Sequence, residues 1–400
     1  MTLRRTPQDF TVTERLTAAF TDALRAQPDP HARHAIYRLT KTSLTTPEAV
    51  TFLAKALQLP ASSIEYAGLK DKHAHTTQHI SIPLTKVQRD AAPSTITTPR
   101  AVSAELLGWS ESPITAAHID INHFAITIRD LTPAASSLLD ERASALSLSP
   151  GILIFTNYYG SQRFGSARHD QGFAARHLIA GDFDTALRLL IGTPSRKDTG
   201  AKRTFTRLCA QHWGDWKRLA TELPRCPERR AIEALAQGKP PRDAFASLPN
   251  FLQQISLDAY QSFLWNAVAA ARALQLDPAS FAADDDFSLM HFPRAQSITN
   301  ETRNEQIPLF SPAAHIPDHL VQATRQILTA ENLSLPQFRI PEMRRPAFAD
   351  TTRPLFSLAH EFMVSPPETD VFNSKRRART CSFTLPSGSY ATVLLRALGQ

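Results

Sequence analysis

One carboxylate in this chain stands between two cations on an evident turn: Asp71, in Tyr66-Ala67-Gly68-Leu69-Lys70-Asp71-Lys72-His73-Ala74-His75-Thr76-Thr77-Gln78. Lys70 and Lys72 favour its ionised form, the form a nucleophile or a base needs. Gly68 lets the backbone turn sharply out of the apolar run that begins at Ile64 and lets a ligand come close. On local chemistry alone a second reading stands beside the first, in which Asp71 only hydrogen-bonds its own turn. Other chemistries fall away. His73 and His75 have no Cys, His or carboxylate cluster at ligand spacing, so no metal is expected. Gly160 to Gly165 has the spacing of a phosphate-binding loop, but Ser166-Ala167 stands where Lys-Ser/Thr is required, which argues against a nucleotide cofactor. Cys209, Cys226 and Cys381 are far apart and form no Cys-x-x-Cys pair, which excludes a disulfide scaffold and a zinc knuckle.

The elements that must position Asp71 are legible on both sides of it. Phe10 and Val12 are spaced as on one face of a strand, and Ile36-Tyr37-Arg38-Leu39-Thr40-Lys41 reads as another. Thr46-Pro47-Glu48 opens a helix, with Thr46 as the cap and proline and acid in the first turn; Pro60 follows its end. His79 to Leu84 alternates as a half-buried strand, and residues 86–104 read as loop or a short helix. Phe124, Ile126 and Ile128 alternate with small or polar residues, a strand with one buried face. A helix is expected over 132–148, and amphipathic helices over 171–191 and 252–273. The basic run Ser374-Lys375-Arg376-Arg377-Ala378-Arg379 reads as a solvated loop suited to phosphate contact.

With 400 residues the chain is long enough for two domains. Apolar residues at 42% and charged residues at 20% describe an ordinary globular protein. The +7 net charge favours a polyanionic partner such as RNA, though many basic proteins have none. No apolar run approaches the roughly 20 residues that cross a bilayer. The N-terminus lacks the apolar core of a signal peptide, so a cytoplasmic protein is expected.

Several stretches resemble, in order, the motifs of the TruD family of tRNA pseudouridine synthases. They are Pro7-Gln8-Asp9-Phe10, Tyr66 to Gln78, Asn122-His123-Phe124, Asn157-Tyr158-Tyr159-Gly160-Ser161-Gln162-Arg163-Phe164-Gly165, Ser256 to Asn266, and Leu385-Pro386-Ser387-Gly388-Ser389-Tyr390-Ala391-Thr392. The resemblance implies that Asp71 is the catalytic residue, that Phe10 lies near the bound uridine and that Tyr390 lines its pocket. Asn122, with two amide donors and a carbonyl, suits a uracil edge. Phe124 suits stacking on the base. Ile121, Gln261 and Ala397 depart from the family pattern, standing where it has glycine, arginine and often glutamate. The fold implied is α+β: a pseudouridine-synthase-type catalytic domain with a mixed, mostly antiparallel sheet, residues 1–150 and 342–400, interrupted by an inserted α/β TRUD-type domain, residues 151–341. The activity implied is isomerisation of a specific uridine in tRNA, position 13 in the bacterial precedent. It needs no cofactor, no metal, no membrane and no obligate protein partner. Asp71 would attack the sugar C1′, attack the base C6 or remove a sugar proton. The alternative is a catalytically idle RNA-binding protein with the same fold.

Overall fold

The computed structural model describes residues 5–28, 30–84, 92–167, 170–195, 198–285 and 287–400. The chain divides into two compact units, one formed by Met1–Phe155 with Ser357–Gln400 and the other by Thr156–Phe356. In chain order the strands are β1 (Phe10–Leu16), β2 (His34–Thr42), β3 (Glu65–Tyr66), β4 (His75–Pro83), β5 (Thr95–Thr97), β6 (Val102–Ser110), β7 (Ile119–Leu131), β8 (Ser147–Ser149), β9 (Ile152–Thr156), β10 (Phe281–Asp285), β11 (Ser288–Phe292), β12 (Gln306–Pro308), β13 (Thr352–Pro354), β14 (Phe356–Val364), β15 (Glu368–Asp370) and β16 (Asn373–Pro386).

The first unit is built on one 12-stranded sheet in the order β5-β6-β2-β4-β1-β7-β16-β14-β9-β8, with β3 added to β4 and β15 to β16. Its β1–β4 pair is parallel, whereas β1–β7, β7–β16, β2–β4 and β2–β6 are antiparallel, so the sheet is mixed and mostly antiparallel. Directly opposed residues in a ladder share a face. Val12 lies opposite Thr76 and Phe124, Phe124 opposite Phe383, and Gln78 opposite Leu39. Over β6, β2 and β4 this face is closed by the Thr46–Ala56 helix, whose Ala49, Val50, Leu53 and Ala54 pack on Tyr37, Leu39, Ile80 and Ile82.

That helix begins one residue earlier than its sequence suggests. Thr45 is the cap: its hydroxyl accepts from the Glu48 N–H, and Glu48 bonds back to the Thr45 N–H. Thr46 is thereby released to turn its hydroxyl into the core. Residues 86–91 lie outside the described part of the chain, and the rest of 86–104 holds β5 and the start of β6, because Ile96 pairs with Ala104 and both are buried. The basic run is strand, not loop. It lies in β16, where Arg379 is buried and donates to Ser136 and Asp140, while Arg377 donates to Thr369.

The second unit is organised on the Asn250–Leu276 helix. The expected helix over 171–191 is broken at Gly181, which takes φ 77°, and Asp182 caps a new helix by accepting from the Thr185 N–H. The Asn157–Gly165 segment is tied to the long helix. Tyr159 N–H donates to Asn266 Oδ1 at 2.9 Å, and Asn266 Nδ2 donates to the Tyr159 carbonyl at 2.9 Å. Arg163 donates to Ser262 and pairs with Asp258. Gln261 donates to the Phe310 and Ala349 carbonyls, so the residue at this departure from the family pattern ties loops to the core. Replacing Asn266 with Ala removes both of these hydrogen bonds. Each contributes about 0.5–1.5 kcal/mol, so chemical unfolding of Asn266→Ala is expected at a lower denaturant midpoint than wild type.

Candidate active site

Asp71 lies on the turn between β3 and β4, half-buried, and the turn is tied to the sheet through its main chain. Gln78, buried on β4, donates its amide to the Gly68 carbonyl at 3.3 Å and accepts from the Thr46 hydroxyl at 2.8 Å. Thr46 in turn accepts from the Lys70 N–H at 3.0 Å. Lys41, buried on β2, donates its ammonium to the Asp71 carbonyl at 2.8 Å and to the Leu44 carbonyl at 2.6 Å. The Ala74 carbonyl accepts from Ser43 N–H at 3.2 Å. Burial pulls the Lys41 pKa down to about 8, against the opposing pull of the Asp71 and Glu48 charges. Asp71 Oδ1 also accepts from the His73 N–H at 3.0 Å, so the turn-forming role of this carboxylate is real and coexists with its placement.

The flanking lysines do not serve Asp71 as its sequence neighbours suggest. Lys70 sends its ammonium across the sheet to Glu14 Oε2 at 2.6 Å and to Asn122 Oδ1 at 2.7 Å. Lys72 pairs with Glu48 at 3.1 Å. Glu14 is 1% exposed at its side chain and also accepts from the His79 N–H at 2.9 Å, with the His79 ring at 3.0 Å. Burial alone would raise the Glu14 pKa, but the His79 hydrogen bond and the Lys70 charge outweigh it and hold the carboxyl below its ordinary range.

Glu14 lies opposite Asn122 in the β1–β7 ladder, and Leu385 flanks Asn122 from β16. The same face carries a row of rings across three strands. Phe10 meets Phe124 edge-on at 6.3 Å, and Phe124 stacks on Phe383 at 5.5 Å. Phe124 is half-buried, whereas Phe10 is 3% exposed. Ahead of β1, Asp9 accepts from Arg129 at 2.8 Å and from the Thr6 N–H at 2.9 Å, which fixes the start of the strand that carries Phe10. Ile121 pairs with Arg15 and Pro386 and stands next to a register shift, beyond which Leu16 meets Ile119; its backbone is not among those with positive φ, so no glycine is needed there. Beyond Pro386 the chain turns at Gly388, φ 85°, and Tyr390 caps the Ala391–Ala397 helix. Lys70 thus joins the Asp71 turn to Asn122, with Phe124 two residues further along the same face of β7, Phe10 against its edge on β1, and Tyr390 past the adjoining strand end. Residue-by-residue reading missed Glu14, Lys41, Thr46 and Gln78. For Glu14, Lys41 and Gln78 the signal is alternation, each a polar residue in step with apolar ones that face the core; Thr46 reads from sequence as the helix cap and carries no such signal.

The chain as a whole has known relatives. The family model described as tRNA pseudouridine synthase D (TruD) matches residues 1–398. "Probable tRNA pseudouridine synthase D 1" of Methanococcus maripaludis is 25% identical over 99% of this chain and 98% of that protein. "tRNA pseudouridine synthase D" of Aquifex aeolicus is 27% identical over 92% of this chain and 91% of its own length. A crystal structure of a Methanosarcina mazei protein named for TruD superposes with a TM-score of 0.67, at 22% identity over 99% of this chain and 92% of that one, which shows a shared fold.

The Glu14–Lys70 pair gives a pH test. A carboxyl whose pKa is lowered by folding contributes stability above its unfolded value, and that contribution is lost as pH falls through the folded one. Glu14→Gln leaves a buried ammonium without its counter-charge and is expected to lower stability by about 3–5 kcal/mol near neutral pH. The gap between wild type and variant, followed by thermal unfolding, should narrow below about pH 4.3. A gap independent of pH would place the stabilisation elsewhere.

Proposed function

The chain belongs to the TruD family, tRNA pseudouridine synthase D, and on that footing we propose that it converts a uridine of tRNA to pseudouridine with Asp71 as its catalytic residue. The observation that carries this reading is the clamped turn: Gly68, Lys70 and Asp71 are bonded through their backbones to Gln78, Thr46 and Lys41, and the Lys70 side chain reaches Asn122 on β7. The unit Met1–Phe155 with Ser357–Gln400 is the catalytic domain in this reading, and Thr156–Phe356 the inserted one. Among the described residues no helix is long and apolar enough to cross a membrane; the compartment we assign is the cytoplasm, where tRNA is modified.

A uridine stacked in RNA is out of reach, so the nucleotide is extruded into the site. The reaction breaks the bond from N1 to C1′ and makes one from C5 to C1′. The base gains a proton at N1 and loses the one at C5, so the atoms balance without a cofactor. Attack at C1′, attack at C6 and removal of a sugar proton all start from the same ionised Asp71. Between breaking and rejoining, the base makes a half-turn about its N3–C6 axis, which exchanges N1 with C5 and O2 with O4. Asn122 suits that motion. A lysine has donors only, so the Asn122 atom it meets is the carbonyl oxygen, and the two amide N–H donors remain for the base. A donor finds a carbonyl oxygen in the same place before and after the half-turn. Phe124 supplies the stacking surface, Phe10 supports it from the side, and Tyr390, at the start of the last helix, completes the pocket.

The test is pseudouridine mapping of tRNA incubated with wild type, Asp71→Ala and Asn122→Asp, position 13 first. Wild type is expected to leave a mark at a single site and Asp71→Ala none. Asn122→Asp replaces the donors with an acceptor and should slow the reaction by about 10- to 100-fold. A mark that survives Asp71→Ala would sink the assignment. Tight binding of tRNA by wild type with no mark would favour the idle RNA-binding protein.

A further inference from the structure

Leu69 is 64% exposed, although it stands two residues before Asp71 in the chain. Its exposure is enforced. The residue before it is held by Gln78, which donates to the Gly68 carbonyl, and the residue after it by Thr46, which accepts from the Lys70 N–H. Gln78 and Thr46 are themselves fully buried. The turn therefore cannot fold Leu69 inward without breaking the contacts that place Asp71. An apolar side chain fixed in water beside a reactive carboxylate gains free energy only when something covers it.

We propose that Leu69 is a wedge: it enters the base stack of the RNA beside the extruded uridine and fills the gap that the uridine leaves. This rests on the reading of Asp71 as the residue that acts on an extruded uridine. Two residues of chain span at most about 7 Å, or about two steps of a stacked strand. A leucine at that spacing lies next to the vacated position when Asp71 meets the sugar or base. Apolar wedges of this size are a general device for holding open an unstacked step. Lys72, exposed on the other side of Asp71, adds a cation on the path of the backbone. Base pairing and stacking resist extrusion in a folded RNA and scarcely do so in a short single strand, so the wedge matters in the first and not in the second.

The experiment compares single-turnover isomerisation, at saturating protein, of whole tRNA and of a short unstructured oligonucleotide with the same nucleotides around the target. Leu69→Ala should melt like wild type, because the side chain is exposed. It should slow the reaction in tRNA by about 10- to 100-fold, the rate equivalent of one leucine's burial, and in the oligonucleotide by less than about 2-fold. Leu69→Met should restore the tRNA rate. Equal slowing on both RNAs, or no slowing on either, overturns the wedge while leaving Asp71 in place. Failure of the wild-type protein to isomerise either RNA overturns the reading of the site, and the wedge with it.

Discussion

A carboxylate and an ammonium, Glu14 and Lys70, are buried together 2.6 Å apart where the Asp71 turn meets the sheet. Removing either ion from water costs several kcal/mol, and their attraction repays this only in good geometry with the remaining hydrogen-bonding positions filled. Here Glu14 Oε1 takes the His79 N–H and Lys70 gives to Asn122, while Glu14 Oε2 is met by the Lys70 charge alone. The net contribution of the pair to stability is therefore small beside what it forbids. Any other seat for the turn would separate Lys70 from Glu14 and leave a buried ion alone. One interaction fixes β1, β4, β7 and the turn relative to one another, and Asp71 is the next residue in the chain.

The strands that carry this arrangement were legible because each has one core face and a period of two. Tyr37 and Leu39, Phe124 and Ile126, Phe10 and Val12 announce themselves by alternation. The polar partners were harder to see for the same reason. Following each apolar stripe one step further gives Lys41 after Leu39, Glu14 after Val12, and Asn122 before Phe124, with Gln78 before Ile80 on β4. All four point to the core face, where a polar side chain needs a partner. Asn122 stands out for its amide chemistry; for the other three, nothing in the sequence names the partner, which lies on another strand or on the turn. Taken together, their parity marks the place where the core turns into a site.

Sequence adjacency was the weaker guide to electrostatics. Lys70 and Lys72 flank Asp71, yet their ammoniums meet Glu14, Asn122 and Glu48. The cation under Asp71 comes from Lys41, on a different strand, and reaches the backbone carbonyl. Neighbours on an extended or turning backbone point away from one another, so adjacency along the chain says little about which charges meet. The helix cap failed in the same way by a single residue. Thr45 and Thr46 are equivalent by composition, and only the tertiary demand of Gln78 and Lys70 for a hydroxyl decides that Thr45 caps and Thr46 turns inward.

What the sheet holds in the Asp71 turn is main chain. The Gly68 carbonyl, the Lys70 N–H, the Asp71 carbonyl and the Ala74 carbonyl are each bonded to a group of β4, β2 or the segments that leave β2. A turn tied through its backbone keeps its shape whatever side chains it presents, so the residues that face outward are free to be chosen for the ligand. This is why a leucine can stand exposed beside Asp71 at no cost to the scaffold. The same logic accounts for Ile121: in a strand held by ladder bonds on both sides, any residue compatible with extended backbone will serve, and the departure from glycine leaves the register of Asn122 unchanged. Rigidity is supplied by polar groups under the turn, and specificity is left to the side chains above it.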